Sequence, residues 1–308
     1  MKTKFITCIY NGLDTTYMGG RQARFATRYR LSLLCLVNSM PNADFVCYTS
    51  SKDIEPLVDF FHTQELISPS RLAFVEYPLE TSIYAEKLRN IRQKFRIAPT
   101  DRCQELQYMK LNWIDNEDGS YDRYYWIDAG LSHCGLIPPE YRITGGWECP
   151  SGSQNYKIGS YEQRRYFDSI MFQTPFLENL LSATGDKFLV CGKENIVDRW
   201  SASLPREYYS AFTKPYNLPD NETHVIGGLF GGSFDAWKQV SSLFNKTTNS
   251  LLDNPSTDKP LYDEEAILSW IYAHHKDWFN VLRFDRWGSD PNAGKVFYQL
   301  LMDLRFGK

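Results

Sequence analysis

Strand-like and helix-like segments alternate through the first half of the chain, and this alternation constrains the fold more than any other feature. Aromatic and β-branched runs at 4–10 (Lys-Phe-Ile-Thr-Cys-Ile-Tyr), 44–49 (Asp-Phe-Val-Cys-Tyr-Thr), 71–77 (Arg-Leu-Ala-Phe-Val-Glu-Tyr) and 124–127 (Tyr-Tyr-Trp-Ile) read as short buried strands. Between them, helical patterning covers about 22–39, 51–61, 84–97 and 106–114. Ser50 or Ser51 can cap the second of these helices. The helix at 84–97 is strongly basic and is expected to present a solvated face. A polar, glycine-containing loop is expected through Met18-Gly19-Gly20 to Arg21. Strand, helix and strand in this order predict βαβ units, and so an α/β protein with a mostly parallel central sheet and flanking helices.

In such sheets ligands gather beyond the carboxyl ends of the strands. The run at 124–127 ends there in Asp128-Ala129-Gly130. A carboxylate in that place is costly to desolvate unless a cation, a hydroxyl or backbone amides meet it. Asp128 can equally cap the following turn, with Gly130 taking a positive φ. The end of the first strand offers Ile9, Tyr10 and Asn11, with Arg21 and Arg24 beyond. Arginines so placed can bind a diphosphate, or be ordinary surface residues of the next helix.

The stretch 134–215 is less regular and rich in Gly, Pro, Ser and Tyr, which suits either an acceptor-binding insertion or plain connecting structure. Apolar runs at 169–172 and 187–191 can extend the sheet. A second landmark is His224-Val225-Ile226-Gly227-Gly228-Leu229-Phe230-Gly231-Gly232-Ser233, with a helix expected over 234–244. Glycine pairs admit close approach of a ligand or of another strand. The spacing is neither the dinucleotide fingerprint nor a P-loop. A third landmark is the helix begun by Asp263, Glu264 and Glu265, a position the helix dipole favours by itself. His274-His275 end that helix; adjacent histidines point different ways and make a poor joint metal site. A last strand is expected at 280–282, followed by a loop and a basic C-terminal helix.

Composition narrows the classes. A chain of 308 residues with 43% hydrophobic and 23% charged residues can bury one large α/β core or two small ones. A net charge of −3 gives no bulk basic excess for nucleic acid. Aromatic residues reach 15%, enough to line a site for ring-shaped ligands or simply to fill a large core. The seven cysteines include no Cys-x-x-Cys pair, which predicts a reducing compartment and no structural zinc. No window is long and apolar enough for a membrane span, and the N-terminal apolar run is too short for a signal peptide, so a cytoplasmic location is expected.

An acidic strand end, a double-glycine strand and an acidic helix start, in this order, resemble glycosyltransferases of the GT-A fold, of the blood-group A/B and α-1,3-galactosyltransferase type. Trp126-Ile127-Asp128-Ala129-Gly130 is also similar to bacterial HtrL/YibB-type proteins. The family carries a strand ending in Asp-x-Asp, a Gly-Gly-Phe-Phe-Gly-Gly-Ser segment beside the donor sugar, and an Asp-Glu pair under the reacting carbon. Here Asp128 matches the first aspartate, Gly227, Gly228, Phe230, Gly231, Gly232 and Ser233 match the glycine segment, and Asp263 and Glu264 match the pair. The resemblance implies a single GT-A-like domain over 1–308, with a nucleotide-binding half (1–133) and an acceptor and catalytic half (134–308).

It further implies transfer of a sugar from a nucleotide-sugar donor, UDP-linked before GDP-linked, to a glycan, a lipid-linked or another hydroxyl acceptor, with retention of configuration. Glu264 would face the anomeric carbon and Asp263 would orient a hydroxyl. Ile9, Tyr10, Asn11, Arg24, Lys110, Asp128, Ala129, Gly130, Gly227 and Gly228 would line the donor site. Asp128 would hold a divalent cation, Mn²⁺ or Mg²⁺, on the diphosphate. Gly130 stands where the family has its second aspartate. That departure leaves open a site in which Arg21, Arg24 or Lys110 balances the diphosphate without metal. Three other readings remain: an inverting transferase using Asp263, Glu264 or Glu265 as general base, a catalytically silent sugar- or nucleotide-binding protein, and a metal-dependent hydrolase or nuclease. The last would need more clustered His and Asp than this chain offers.

Overall fold

A computed structural model of the chain describes residues 1–11, 14–17, 20–23, 29–30, 33–34, 36–37, 40–63, 69–97, 102–129, 174–193, 223–257 and 260–284. Its centre is a seven-stranded sheet of β1 (Thr3–Ile9), β4 (Ala43–Thr49), β5 (Leu72–Glu76), β6 (Arg123–Ile127), β7 (Phe188–Lys193), β8 (His224–Gly232) and β9 (Phe279–Phe284). The order across the sheet is β5-β4-β1-β6-β8-β7-β9. β1, β4, β5 and β6 pair in parallel and so do β7 and β9, while β8 runs antiparallel to both β6 and β7. The expected mostly parallel α/β sheet is therefore present.

Successive side chains on a strand face opposite ways, and the core divides accordingly. Phe5, Ile9, Phe45, Cys47, Tyr125, Ile127, Leu189 and Leu229 pack on one face with Leu33, Leu36, Leu57, Phe61 and Leu180. Ile6, Val46, Tyr48, Tyr124, Trp126, Phe188, Val190 and Phe230 pack on the other with Leu88, Leu106, Trp237, Val240, Ile267 and Ile271. Leu33 and Leu36 lie on helical backbone before β4, and the other helical residues come from α1 (Ser51–Thr63), α2 (Ala85–Phe95), α3 (Cys103–Asn112), α4 (Thr174–Thr184), α5 (Phe234–Asp253) and α6 (Glu264–His274). No helix among the described residues is long and apolar enough to cross a membrane.

Two sequence expectations change. The polar loop leading to Arg21 contains a hairpin, β2 (Asp14–Tyr17) with β3 (Gly20–Ala23), in which Thr15 and Thr16 oppose Gln22 and Arg21. Gln22 therefore belongs to a strand, and helical backbone is described only from residue 29 onward. The basic helix presents the expected solvated face through Arg89, Asn90, Gln93 and Lys94, while Leu88, Ile91 and Arg92 are buried on its other side, with Arg92 paired to the buried Glu105 of α3. The helix expected over 234–244 runs on to Asp253, since Thr248 and Leu252 continue its buried stripe at helical spacing. The run at 169–172 and the C-terminal helix lie outside the described residues.

Candidate active site

Strand order reverses between β1 and β6, since β4 and β5 lie on one side of this pair and β8, β7 and β9 on the other. In an open α/β sheet the crevice at such a point, beyond the carboxyl ends of the two strands, is where ligands bind. The residues that follow β1 and β6 are Tyr10, Asn11 and Asp128.

The β1 side is tightly wired. Asn11 donates through its backbone N–H to Asp53 Oδ2 (3.1 Å) and through Nδ2 to Asp53 Oδ1 (2.6 Å). Ser50 Oγ also donates to Oδ2 (2.7 Å), so the buried Asp53 at the start of α1 is satisfied by three donors. The Tyr10 hydroxyl donates to the Tyr77 carbonyl (2.7 Å), and its ring stacks parallel to Trp113. The Ile9 carbonyl accepts from Thr49 Oγ1 (2.6 Å). The polar groups of these expected donor-site residues are thus largely committed to holding the strand end in place.

The β6 side gathers charge. Asp128 keeps 42% of its side chain exposed, and its Oδ1 accepts from the Trp126 indole (2.9 Å) and pairs with the Lys110 ammonium (3.1 Å). Trp126 and Asp128 are two residues apart on extended backbone, so they share a face. Lys110, in the last turn of α3, donates also to Glu264 Oε1 (2.5 Å) and to the Gly227 carbonyl (3.2 Å), and lies 5.3 Å above the Trp126 ring. One ammonium thus joins the end of β6, the glycine segment of β8 and the first turn of α6. Asp128 is further fixed by its backbone N–H, which donates to the Gly228 carbonyl (2.9 Å).

The three acids that open α6 have different surroundings. Asp263 is the N-cap and accepts from the Ala266 N–H (2.8 Å). Glu265 accepts from the Gly227 N–H through Oε1 (2.9 Å). Glu264 is buried, with Oε1 on Lys110 and Oε2 without a hydrogen-bond partner among the described residues. Burial pushes its carboxyl up to about 7, assisted by Glu265 and Asp263 and opposed by Lys110. Burial by itself would lower Lys110, but the facing Asp128 and Glu264 carboxylates outweigh it and hold the ammonium well above the usual lysine value.

The glycines have separate reasons. A side chain at Gly227 would run into the Glu264 carboxylate. One at Gly231 would lie 2.7 Å from the Cα of Tyr125 on β6, and one at Gly232 2.9 Å from the Lys187 carbonyl. The close approach expected of the two pairs is therefore to a neighbouring strand at 231–232 and to a carboxylate at 227.

A divalent cation on a diphosphate takes about six oxygen ligands. Asp128 offers one carboxylate whose Oδ1 already faces an ammonium and an indole, and no cluster of three or more His, Cys, Asp or Glu able to hold a metal ion exists among the described residues. These residues do not by themselves fit such an ion. Ala129 is buried beside Asp128. Arg24 and Gly130 lie outside the described residues, as do the side-chain surroundings of Arg21. Asp53 and Trp126 were not singled out by sequence reasoning. Trp126 had a signal, the two-residue spacing from Asp128; Asp53 had only its place near a helix start.

No protein-family model matches the chain, and no curated protein sequence does. Among solved structures, it is similar to mouse xyloside xylosyltransferase 1 over 92% of this chain and 85% of that one (TM-score 0.45, 9% identity). It is similar to the galactosyltransferase LgtC, solved with donor and acceptor sugar analogues, over 96% and 83% (TM-score 0.46, 8% identity). A third similar structure is 4-diphosphocytidyl-2C-methyl-D-erythritol synthase from Anaerococcus prevotii, over 98% and 96% (TM-score 0.39, 9% identity). At 8–9% identity these likenesses concern the course of the chain and not its residues.

Proposed function

We propose that the protein is a glycosyltransferase that moves a sugar from a nucleotide-sugar donor, UDP-linked before GDP-linked, to a hydroxyl of a glycan or lipid-linked acceptor. The observation that carries this reading is the state of Glu264: a buried carboxylate with one oxygen held by Lys110 and the other without a partner among the described residues, joined through Lys110 to Asp128 beyond the end of β6. An unsatisfied buried oxygen costs free energy that a stable fold avoids unless a ligand completes it. Glycosyl transfer develops positive charge at the anomeric carbon, and a carboxylate oxygen placed there stabilises it or attacks it.

In the reading we favour, Glu264 Oε2 meets the anomeric carbon on the face opposite the leaving diphosphate, and the sugar is passed on with retention. Gly227 and Gly228 let the sugar come close to β8, while the fixed end of β1 at Tyr10 and Asn11 forms the nucleotide side of the crevice. Asp128 faces the leaving group. A second reading is favoured by the carboxyl held near 7: a group so poised suits a general base that takes the proton of the acceptor hydroxyl, which gives inversion.

The test has two parts. Melting of the wild-type protein with UDP, GDP, CDP, CMP and their common sugars, with and without Mn²⁺, identifies a donor, because a ligand of the folded state must raise the melting temperature. Anomeric coupling constants of the product then separate retention from inversion. Glu264→Gln is expected to cut donor consumption at least about a hundredfold while leaving the nucleotide-induced shift in place. The reading is discarded if no sugar nucleotide shifts the melting temperature, or if Glu264→Gln turns over normally.

A further inference from the structure

Lys110 is a candidate cation for the leaving diphosphate, yet three protein oxygens already surround its ammonium. An ammonium has three N–H donors and no acceptor. Here its neighbours are Asp128 Oδ1 at 3.1 Å, Glu264 Oε1 at 2.5 Å and the Gly227 carbonyl at 3.2 Å. The side chain is only 12% exposed, and its ammonium sits above the Trp126 ring. Two hydrogen bonds and one ion pair hold the ammonium, so a phosphate oxygen would have to displace one of these three oxygens. The same contacts decide how Glu264 is presented: Oε1 is occupied and pressed towards Gly227, and Oε2 is the oxygen that remains.

We propose that Lys110 is a positioning residue, not a ligand of the donor: its ammonium locks Glu264 Oε1 against β8, leaves Oε2 for the substrate, and ties that carboxylate to Asp128 so that the two halves of the site hold one geometry. This rests on the transferase reading given above. Two consequences follow from these contacts. The charge that balances a diphosphate comes from a cation other than Lys110. Loss of Lys110 acts through Glu264, so it is felt in turnover and not in nucleotide affinity.

The test compares wild type, Lys110→Met, Glu264→Gln and the double variant, with methionine keeping the length of the side chain and removing its charge. The donor identified by melting is used for turnover, and its free nucleoside diphosphate for affinity by calorimetry. Lys110→Met is expected to lower kcat by about a hundredfold or more with the nucleotide Kd changed by less than about threefold. In the Glu264→Gln background the same substitution is expected to change neither quantity further, because the group it serves is gone. Lys110→Arg, which keeps the charge, is expected to recover part of kcat. A tenfold weaker Kd with kcat intact would make Lys110 a diphosphate ligand and overturn the proposal, as would additive losses in the double variant.

Where Lys110→Met alone is too unstable to assay, the double variant and Glu264→Gln give the same comparison without an unpaired buried carboxylate. Melting of the four proteins without ligand separates failure of this proposal from failure of the transferase reading. If no donor binds wild type, non-additive melting still supports the Lys110–Glu264 link, and additive melting overturns it.

Discussion

A methyl group at position 227 would lie 3.1 Å from Cδ and 3.3 Å from Cγ of Glu264 and closer still to Oε1, so Gly227 and Glu264 are parts of one fitted contact. Gly227→Ala is expected to push the carboxylate off Lys110. The cost is about 1–3 kcal/mol of stability, as for other overpacked sites, with loss of donor consumption. Chemical denaturation and a turnover assay read the two effects, and normal turnover in this variant would show that the contact is irrelevant to chemistry. Glu264 also leaves a signature in the pH dependence of stability. Burial favours its neutral form, so the folded state binds a proton between the ordinary carboxyl value of 4.5 and about 7, where the unfolded state does not. The associated stability is fully present below the lower value and is lost as pH rises through the higher one. The melting temperature of wild type, taken relative to Glu264→Gln, is therefore expected to fall from pH 5 to pH 8, by the equivalent of on the order of 3 kcal/mol. A constant difference across that range would mean that Glu264 is ionised throughout.

At the scale of elements, α2 and α3 are joined by a charge network on the buried side of the basic helix. Arg92 pairs with Glu105 in the core, and Arg102 bonds Glu105 Oε2 through Nε (2.6 Å) while also reaching Glu80. Glu105 keeps Arg102 when Arg92 is removed, so Arg92→Met is expected to cost less than the about 3–5 kcal/mol of breaking an isolated buried pair, and less than additively when combined with Glu105→Met. A double-mutant cycle in urea checks this, and additive losses would deny the pair its role. The contrast explains what was legible. The strands were readable because buried β-branched and aromatic runs such as Phe45–Tyr48 and Tyr124–Ile127 have few other destinations. The three-acid helix start was readable because Asp263 obeys local capping chemistry. Asp53 under Asn11, Lys110 between Asp128 and Glu264, and Arg92 on Glu105 were not, because each pair joins residues on different elements whose meeting only tertiary packing decides. The hairpin at 14–23 was missed for a different reason: Asp, Gly and Arg outweighed the Thr15-Thr16 pair in a reading by composition.

For the whole molecule, the site belongs to both faces of the sheet. Asn11 is tied to α1 on one face, while Asp128, Lys110 and Glu264 stand over the aromatic column of Tyr48, Trp113, Trp126 and Phe230 on the other. If the proposed donor site spans the strand-order reversal, its ligand is expected to touch the end of β1, the end of β6 and the β8–α6 corner together. Hydrogen exchange with and without the nucleotide found by melting tests this directly. Amides at 9–11, 127–129, 226–228 and 264–267 are expected to slow in concert, since ligand binding suppresses the local openings through which they exchange. Edge strand β5 at 72–76 and the far end of α6 at 271–274 are expected to be unchanged. Protection confined to one face would place the nucleotide away from Glu264, and protection at β5 or at the α6 C-terminus would move the binding site out of this crevice altogether.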